Sequence, residues 1–395
     1  MKDKISWIEK LAGLVGLVPS ERKWPEPKPY GEGLLRYPPF EKWLEVEELD
    51  SKRKPRRLAM VPTTCFNCEA ACGLLAAVDK DSREILRIEG NPLHPGSRGR
   101  NCAKGPATLN QVQDPERILQ PMRRVGPRGE GKFEPISWDA ALDQIASSIQ
   151  EKFDSDQHDE VMYHVGRPGH EGAVERVIQA WGIDGHNSHT TVCSASARAG
   201  YQFTWGYDRP APDHANAQLI LLLSAHLESG HYFNPHAQRI LEAKERGARI
   251  IVMDPRLSNT ASRADLWLPT RPGTEGAVLL AALRILIDEG RIDLPFVENW
   301  VDWRGYMEAL HPEETPSVDV FLKRFSEHLK QWTPAEAEQY SGLEAGSVRQ
   351  LADEISRAGN RIAAHCWRSA ASGNLGGWQI ARALAILNAF TGSLG

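Results

Sequence analysis

The chain has 395 residues, 41% of them hydrophobic and 25% charged, with a formal net charge of −5. That length suffices for two or three domains, each with its own core. The balance excludes the basic bias of a nucleic-acid binder or of a protein held on an anionic membrane, and no apolar run reaches the length of a membrane span.

The longest apolar candidate, Leu11 to Val18, falls inside a segment, Ile5 to Val18, whose spacing predicts a short amphipathic helix for docking. The opening MKDKISWIEK carries charges where a secretory apolar region would begin, and Arg56-Arg57 is followed by no apolar stretch. The opening does not fit a secretory pattern and the Arg pair reads as solvated charge, so a cytoplasmic protein is expected. Residues 1–57 contain WPEPKPY, RYPPF and SKRKPRR. Their proline and charge predict an extension lying over a surface.

Residues 58–115 read as a small cysteine-bearing β-rich domain. Leu74 to Val78 and Ile85 to Ile88 are expected strands, joined by the polar turn Asp79-Lys80-Asp81-Ser82, and Gly90-Asn91-Pro92 ends the second. Residues 116–395 read as α/β. Ser137 is placed to cap a helix over Trp138 to Phe153. Gln218 to Leu223 is a buried strand by its unbroken apolar run. Pro235 to Arg246 is a helix closed by Gly247, Arg249 to Met253 the next strand, and Glu275 to Glu289 a helix stopped by Gly290. A β-α-β unit of this kind implies a parallel sheet with a right-handed crossover, Rossmann-like in outline.

Four of the six cysteines are clustered: Cys65-x2-Cys68-x3-Cys72, then 29 residues to Cys102. Three thiolates within eight positions can wrap one corner of a cubane, and a distant fourth closes the cage. Structural zinc is the alternative. It usually takes two short pairs, which the x2-then-x3 triplet fits poorly. A [4Fe–4S] cluster is therefore expected. Cys366 has no such context and is assigned to the core. Asp254, at the carboxyl end of a predicted parallel strand, can accept hydrogen bonds from ribose hydroxyls or cap a turn.

The cysteine motifs TTCFNCEAACGL and GNPLHPGSRGRNCAKG, with TTVCSASARAGYQFTWG at 190–206, resemble the molybdopterin oxidoreductases of the dimethyl-sulfoxide-reductase family. That family includes formate dehydrogenases, periplasmic-type nitrate reductases, and polysulfide or arsenic oxidoreductases. The resemblance implies a molybdenum or tungsten bis(molybdopterin guanine dinucleotide) cofactor. It implies that Lys104, two residues after the fourth cysteine, lies between cluster and pterin. Cys193 matches the position of the metal's protein ligand. The guanosine ends would be held by the loops that follow the two strands. In the first loop these are Ser224, His226, where the family often has Asn, and Glu228. In the second they are Asp254, Arg256, Gly273, Thr274 and Glu275, the last standing where the family usually has Asp.

His164, His170, His186, Asn187 and His189 crowd the region before Cys193 and are expected around a substrate funnel, with His189 the candidate for proton transfer. The resemblance covers residues 58–395. A further pterin-clamping portion follows in the family, so a missing C-terminal portion or second subunit is expected, together with an electron-transfer partner protein and a small-molecule substrate. Two other functions fit the same residues: a non-redox hydratase using the metal as Lewis acid, and a molybdenum-free electron-wiring subunit.

Overall fold

The computed structural model describes residues 28–30, 34–36, 44–68, 70–165, 171–183, 185–208, 210–227 and 234–394. The helix expected over Ile5 to Val18 lies outside them. The chain forms two compact units, Met1–Ser147 and Ser148–Gly395.

The first unit is built on a four-stranded antiparallel sheet. Strands β1 (Leu44–Leu49), β2 (Pro55–Thr64), β3 (Gly73–Asp79) and β4 (Ile85–Gly90) pair in sequence order. Its core is Leu58, Met60, Leu75 and Ala77, with Leu44, Val46 and Leu86 packed against them. The Asp79 to Ser82 turn forms as its composition predicts, because Asp79 Oδ1 accepts from the backbone N–H groups of Asp81 and Ser82 at 2.8 Å each. One reading is corrected. Residues 44–57 are not a surface extension: Leu44 and Val46 alternate with Glu45 and Glu47, and that period of two makes β1 an integral strand beside β2. After the sheet come helix α1 (Lys104–Val112), a hairpin of Met122–Arg124 with Phe133–Pro135, and helix α2 (Trp138–Asp154). Ser137 caps α2, its hydroxyl accepting from Ala140 N. The apolar stripe Trp138, Leu142 and Ile145 of α2 is exposed.

In the second unit, β5 (Met162–Val165) pairs in parallel with β6 (Gly185–Ser188). The main sheet contains β7 (Leu219–Leu223), β8 (Arg249–Met253), β9 (Leu266–Leu268) and β10 (Ile362–Cys366), in the order β9-β8-β7-β10, all parallel. Both faces of β7 are covered. Leu219, Leu221 and Leu223 enter one apolar core, and Ile220 and Leu222 enter the other. This is why its sequence is an unbroken apolar run rather than an alternation. Helix α5 (Asn234–Glu245) crosses from β7 to β8, and Gly247 ends it with φ +94°. Helix α6 (Glu275–Asp288) follows β9 and lies in the larger core. Between α6 and β10 run five helices, from Leu294 to Ala358, that the pattern of apolar residues alone did not assign. Their signals were present: Asp293, Asp302, Ser317 and Thr333 each cap a helix with a side-chain oxygen, the last in a reciprocal box with Glu336.

Two short helices prepare the site. They are α3 (Thr190–Cys193) and α7 (Arg368–Ser372); the longer α4 (Ala195–Trp205) and α8 (Trp378–Phe390) pack on one another. Their contact runs through Gly200, where a methyl group would overlap the Trp378 carbonyl oxygen and the Ala381 side chain. Backbone cannot yield there as a flexible side chain would. Gly200→Ala is therefore expected to lower stability by about 1–3 kcal/mol, read as a drop in thermal midpoint. An unchanged midpoint would show that α4 and α8 are free to slide.

Candidate cofactor sites

In the first unit, the four cysteines sit on two loops that the fold ties together. Cys65 N donates to Cys72 O at 2.9 Å, closing the first loop into a ring. Asn67, between Cys65 and Cys68, reaches three partners. Its Nδ2 lies 3.4 Å from Cys65 Sγ, 3.2 Å from Lys104 O and 3.0 Å from Thr108 Oγ1. One side chain thus staples the triplet loop to the turn carrying Cys102 and Lys104. The intervening segment is folded tightly against Gly73, the residue after Cys72. Gly73 N donates to Ser97 Oγ at 3.1 Å, and the Ser97 hydroxyl in turn meets His94 Nδ1 at 2.9 Å. Gly99, at φ +80°, donates to Asn91 O. Cys72 is buried, and Cys65, Cys68 and Cys102 are half-buried. Lys104 is exposed at the start of α1.

Four thiols on two loops that Asn67 ties together are the soft donor set an iron–sulfur cluster takes.

In the second unit, β7 has β8 on one side and β10 on the other, so the chain winds away in both directions from the β7–β10 edge. Such a switch point opens a crevice at the carboxyl ends of the strands. Ser224, His226, Asp254, Arg256 and the 273–275 loop lie at this end of the sheet. Ser224, directly after β7, has φ +53° and donates its N–H to Met253 O. Asp254, directly after β8, is buried, and its carboxylate is engaged within the protein. Oδ1 accepts from Arg256 N at 2.8 Å, and Oδ2 lies 3.4 Å from His226 Nε2. His226 Nδ1 then accepts from Arg256 Nη2 at 2.8 Å, which assigns the ring proton to Nε2. Asp254 thus caps its own turn and organises an Asp–His–Arg chain.

The loop after β9 completes the rim. Gly273 has φ +88° and donates its N–H to Glu275 Oε2 at 2.9 Å. The Thr274 hydroxyl donates to Arg271 O at 2.6 Å. Glu275 is only 1% exposed, and burial raises its carboxyl above the ordinary carboxylate range. Backbone N–H groups oppose that shift, and the charge of Asp254 adds to it. Cys366, at the end of β10, lies in the core as expected, its thiol pushed up to about 12 by burial and by Glu275. Thr270, fully buried, has a hydroxyl with no hydrogen-bond partner among the described residues. Two buried carboxyls, left-handed turns and a hydroxyl without a partner among the described residues thus lie in the loops that follow the strands. Glu228 lies outside the described residues, as do His170 and the side chain of His186.

Cys193 ends α3 and is half-buried. His189 precedes α3, its N–H bonded to Val165 O at the end of β5. Ser372, at the end of α7, donates its hydroxyl to Cys193 O at 2.8 Å. Asn67, Thr270 and Ser372 were not singled out from sequence. Only Asn67 left a signal, its place inside the CxxC.

An iron–sulfur β domain followed by a doubly wound α/β unit defines a class of redox metalloprotein. Family models narrow it: residues 58–114 match the molybdopterin oxidoreductase Fe4S4 domain and residues 117–295 match molybdopterin oxidoreductase. The chain belongs to the molybdopterin oxidoreductases of the dimethyl-sulfoxide-reductase family, whose cofactors are a [4Fe–4S] cluster and a molybdenum or tungsten molybdopterin. It is 30% identical over 389 residues to a probable dimethyl sulfoxide reductase chain, YnfF, of Escherichia coli, covering 90% of this chain and 45% of that protein. It is 27% identical over 419 residues to a sulfite dehydrogenase subunit from Allochromatium vinosum, covering 86% and 43%. Acetylene hydratase from Pelobacter acetylenicus shares the fold, with a TM-score of 0.71 at 24% identity over 84% of this chain and 43% of that one. The chain spans less than half the length of these relatives.

Because the folded-state pKa of Glu275 lies above the ordinary 4.5, the unfolded chain loses this proton first as pH rises. The stability it contributes is present below that value and is lost as pH climbs through the folded pKa. Glu275→Gln removes the titration. The thermal midpoint of the parent relative to this variant should fall from pH 4.5 toward pH 7; a flat difference would show that the carboxyl is not held protonated.

Proposed function

We propose that this chain carries the [4Fe–4S] cluster, the protein ligand to the metal and the guanosine-holding loops of a bis(molybdopterin guanine dinucleotide) oxidoreductase. One observation carries the reading. Ser372 ties Cys193, a thiol, to the strand end that also borders the dinucleotide crevice.

Each residue then has a role. Cys65, Cys68, Cys72 and Cys102 hold the cluster through thiolates. Lys104, carried on the turn that Asn67 staples to Cys65, presents a cation between cluster and pterin, where it donates to the pterin edge. Cys193 offers a soft thiolate suited to a metal already bound by dithiolenes. Arg256, steered by His226, meets a phosphate. Glu275 accepts from paired N–H groups of guanine, and these donors restore the ionised form that burial opposes. Ser224, Gly273 and Thr274 let the main chain approach the dinucleotide, and Glu228 is placed with them on its motif alone. His189 takes or gives the substrate proton near neutral pH. When bound, the metal centre supplies two-electron exchange with substrate.

The Escherichia coli and Allochromatium vinosum relatives are named for compounds with oxygen on sulfur, dimethyl sulfoxide and sulfite. We extend that class of small oxo compound to this chain. An electron-transfer partner protein takes or supplies the electrons. A pterin-clamping portion of the kind the family resemblance implies completes the site, on the same polypeptide or on a second one. The exposed apolar stripe Trp138, Leu142 and Ile145 of α2 offers it a docking face.

Purified without oxygen, the protein should hold about four iron and four sulfide, and with the complementing portion it should hold molybdenum or tungsten. Cys68→Ser should abolish the broad visible absorption of the cluster. Iron with neither molybdenum nor tungsten in the complete protein would replace the enzyme with an electron-wiring role. Lys104→Ala should slow electron exchange between metal and cluster while both stay bound; intercentre rates equal to the parent's would remove the lysine from the path.

A further inference from the structure

The turn that follows α7 touches two loops far apart in sequence. At one end, Ser372 donates its hydroxyl to the carbonyl of Cys193 at 2.8 Å. Cys193 is the last residue of α3, and terminal helix carbonyls lack partners within the helix. At the other end, Asn374 lies against the Gly273 loop, where a methyl on Gly273 would stand 2.8 Å from the Asn374 carboxamide oxygen. The Asn374 amide group donates to Ala370 O at 3.0 Å, which fixes the side chain on α7. The turn is tight: Gly376 has φ +68°, and a side chain at Gly377 would overlap the Ala371 carbonyl. Leu375 at its tip is fully exposed and anchors nothing. Polar contacts and glycine geometry hold the turn, not apolar burial.

We propose that Ser372 and Asn374 are positioning residues, a bridge that fixes the main chain at Cys193 relative to the Gly273–Glu275 loop. It rests on the reading of Cys193 as the metal's ligand. A thiol on a four-residue helical turn has little local structure to hold it. The bridge supplies the missing constraint from the β10 side of the crevice, so that ligand and dinucleotide loop keep one separation.

The test uses the full chain without pterin, following alkylation of Cys193 by iodoacetamide through peptide mass spectrometry. Ser372→Ala should change the rate about fivefold, the fold-change expected for one hydrogen bond of ordinary net strength. Ser372→Thr, which keeps the hydroxyl, should restore the parent rate. Asn374→Ala should move the rate in the same direction, although Asn374 is no neighbour of Cys193 in sequence. Equal rates in parent, Ser372→Ala and Asn374→Ala would overturn the bridge. A separate measurement guards the premise: in the pterin-loaded complete protein, Cys193→Ala should remove one sulfur from the metal's X-ray absorption shell. An unchanged shell would sink the ligand assignment and leave the alkylation comparison to judge the bridge.

Discussion

Leu223 and Cys366 stand opposite one another at the carboxyl ends of two parallel neighbours, β7 and β10, and the second unit hangs its functional residues from that pairing. The pairing forces the chain to leave the sheet in both directions, which opens the crevice. It also sets α7, and with it Ser372, beside Cys193. Trp367 N continues the ladder by donating to Leu223 O, so the exit from β10 is held by the backbone itself. Five helices separate α6 from β10 in sequence, and the last three of them pack against α6 before the chain returns to the sheet.

At this end of the sheet the fold accepts unfavourable chemistry. Asp254 and Glu275 are both buried, and the charge of Asp254 opposes ionisation of Glu275. The Glu275 carboxyl and the Cys366 thiol are both shifted upward, chiefly by burial. A Thr270 hydroxyl goes without a partner among the described residues. None of this helps a sheet whose two faces are already sealed by apolar cores. Groups held in a costly state beside a crevice are what a ligand with complementary donors relieves. The antiparallel sheet of the first unit works on another scale. Its compact apolar core serves mainly to present two cysteine loops, and Asn67 locks those loops together.

Much of this was legible in the residues. The apolar runs on either side of the polar turn Asp79–Ser82 and the unbroken apolar run of Leu219–Leu223 mark strands, because turn composition and double-sided burial leave those imprints on any chain. Cysteine spacing carried the cluster, since a cubane needs a local triplet and one remote thiolate. The family resemblance rested on the same motifs. The boundary at residue 57 misread Leu44 and Val46, because proline and charge around them masked a short alternating strand. Partner choice was beyond the sequence. Asp254 reads equally as ribose acceptor or turn cap, and only the fold brought His226 to its second oxygen and Arg256 to the far side of the ring. The motif around Cys193 implies a metal ligand, but nothing in it foretells Ser372, which donates to the Cys193 carbonyl from far along the chain. Spacing along a chain records local geometry, whereas contacts made when distant strands pair leave no periodic trace; those contacts were decided by tertiary structure alone.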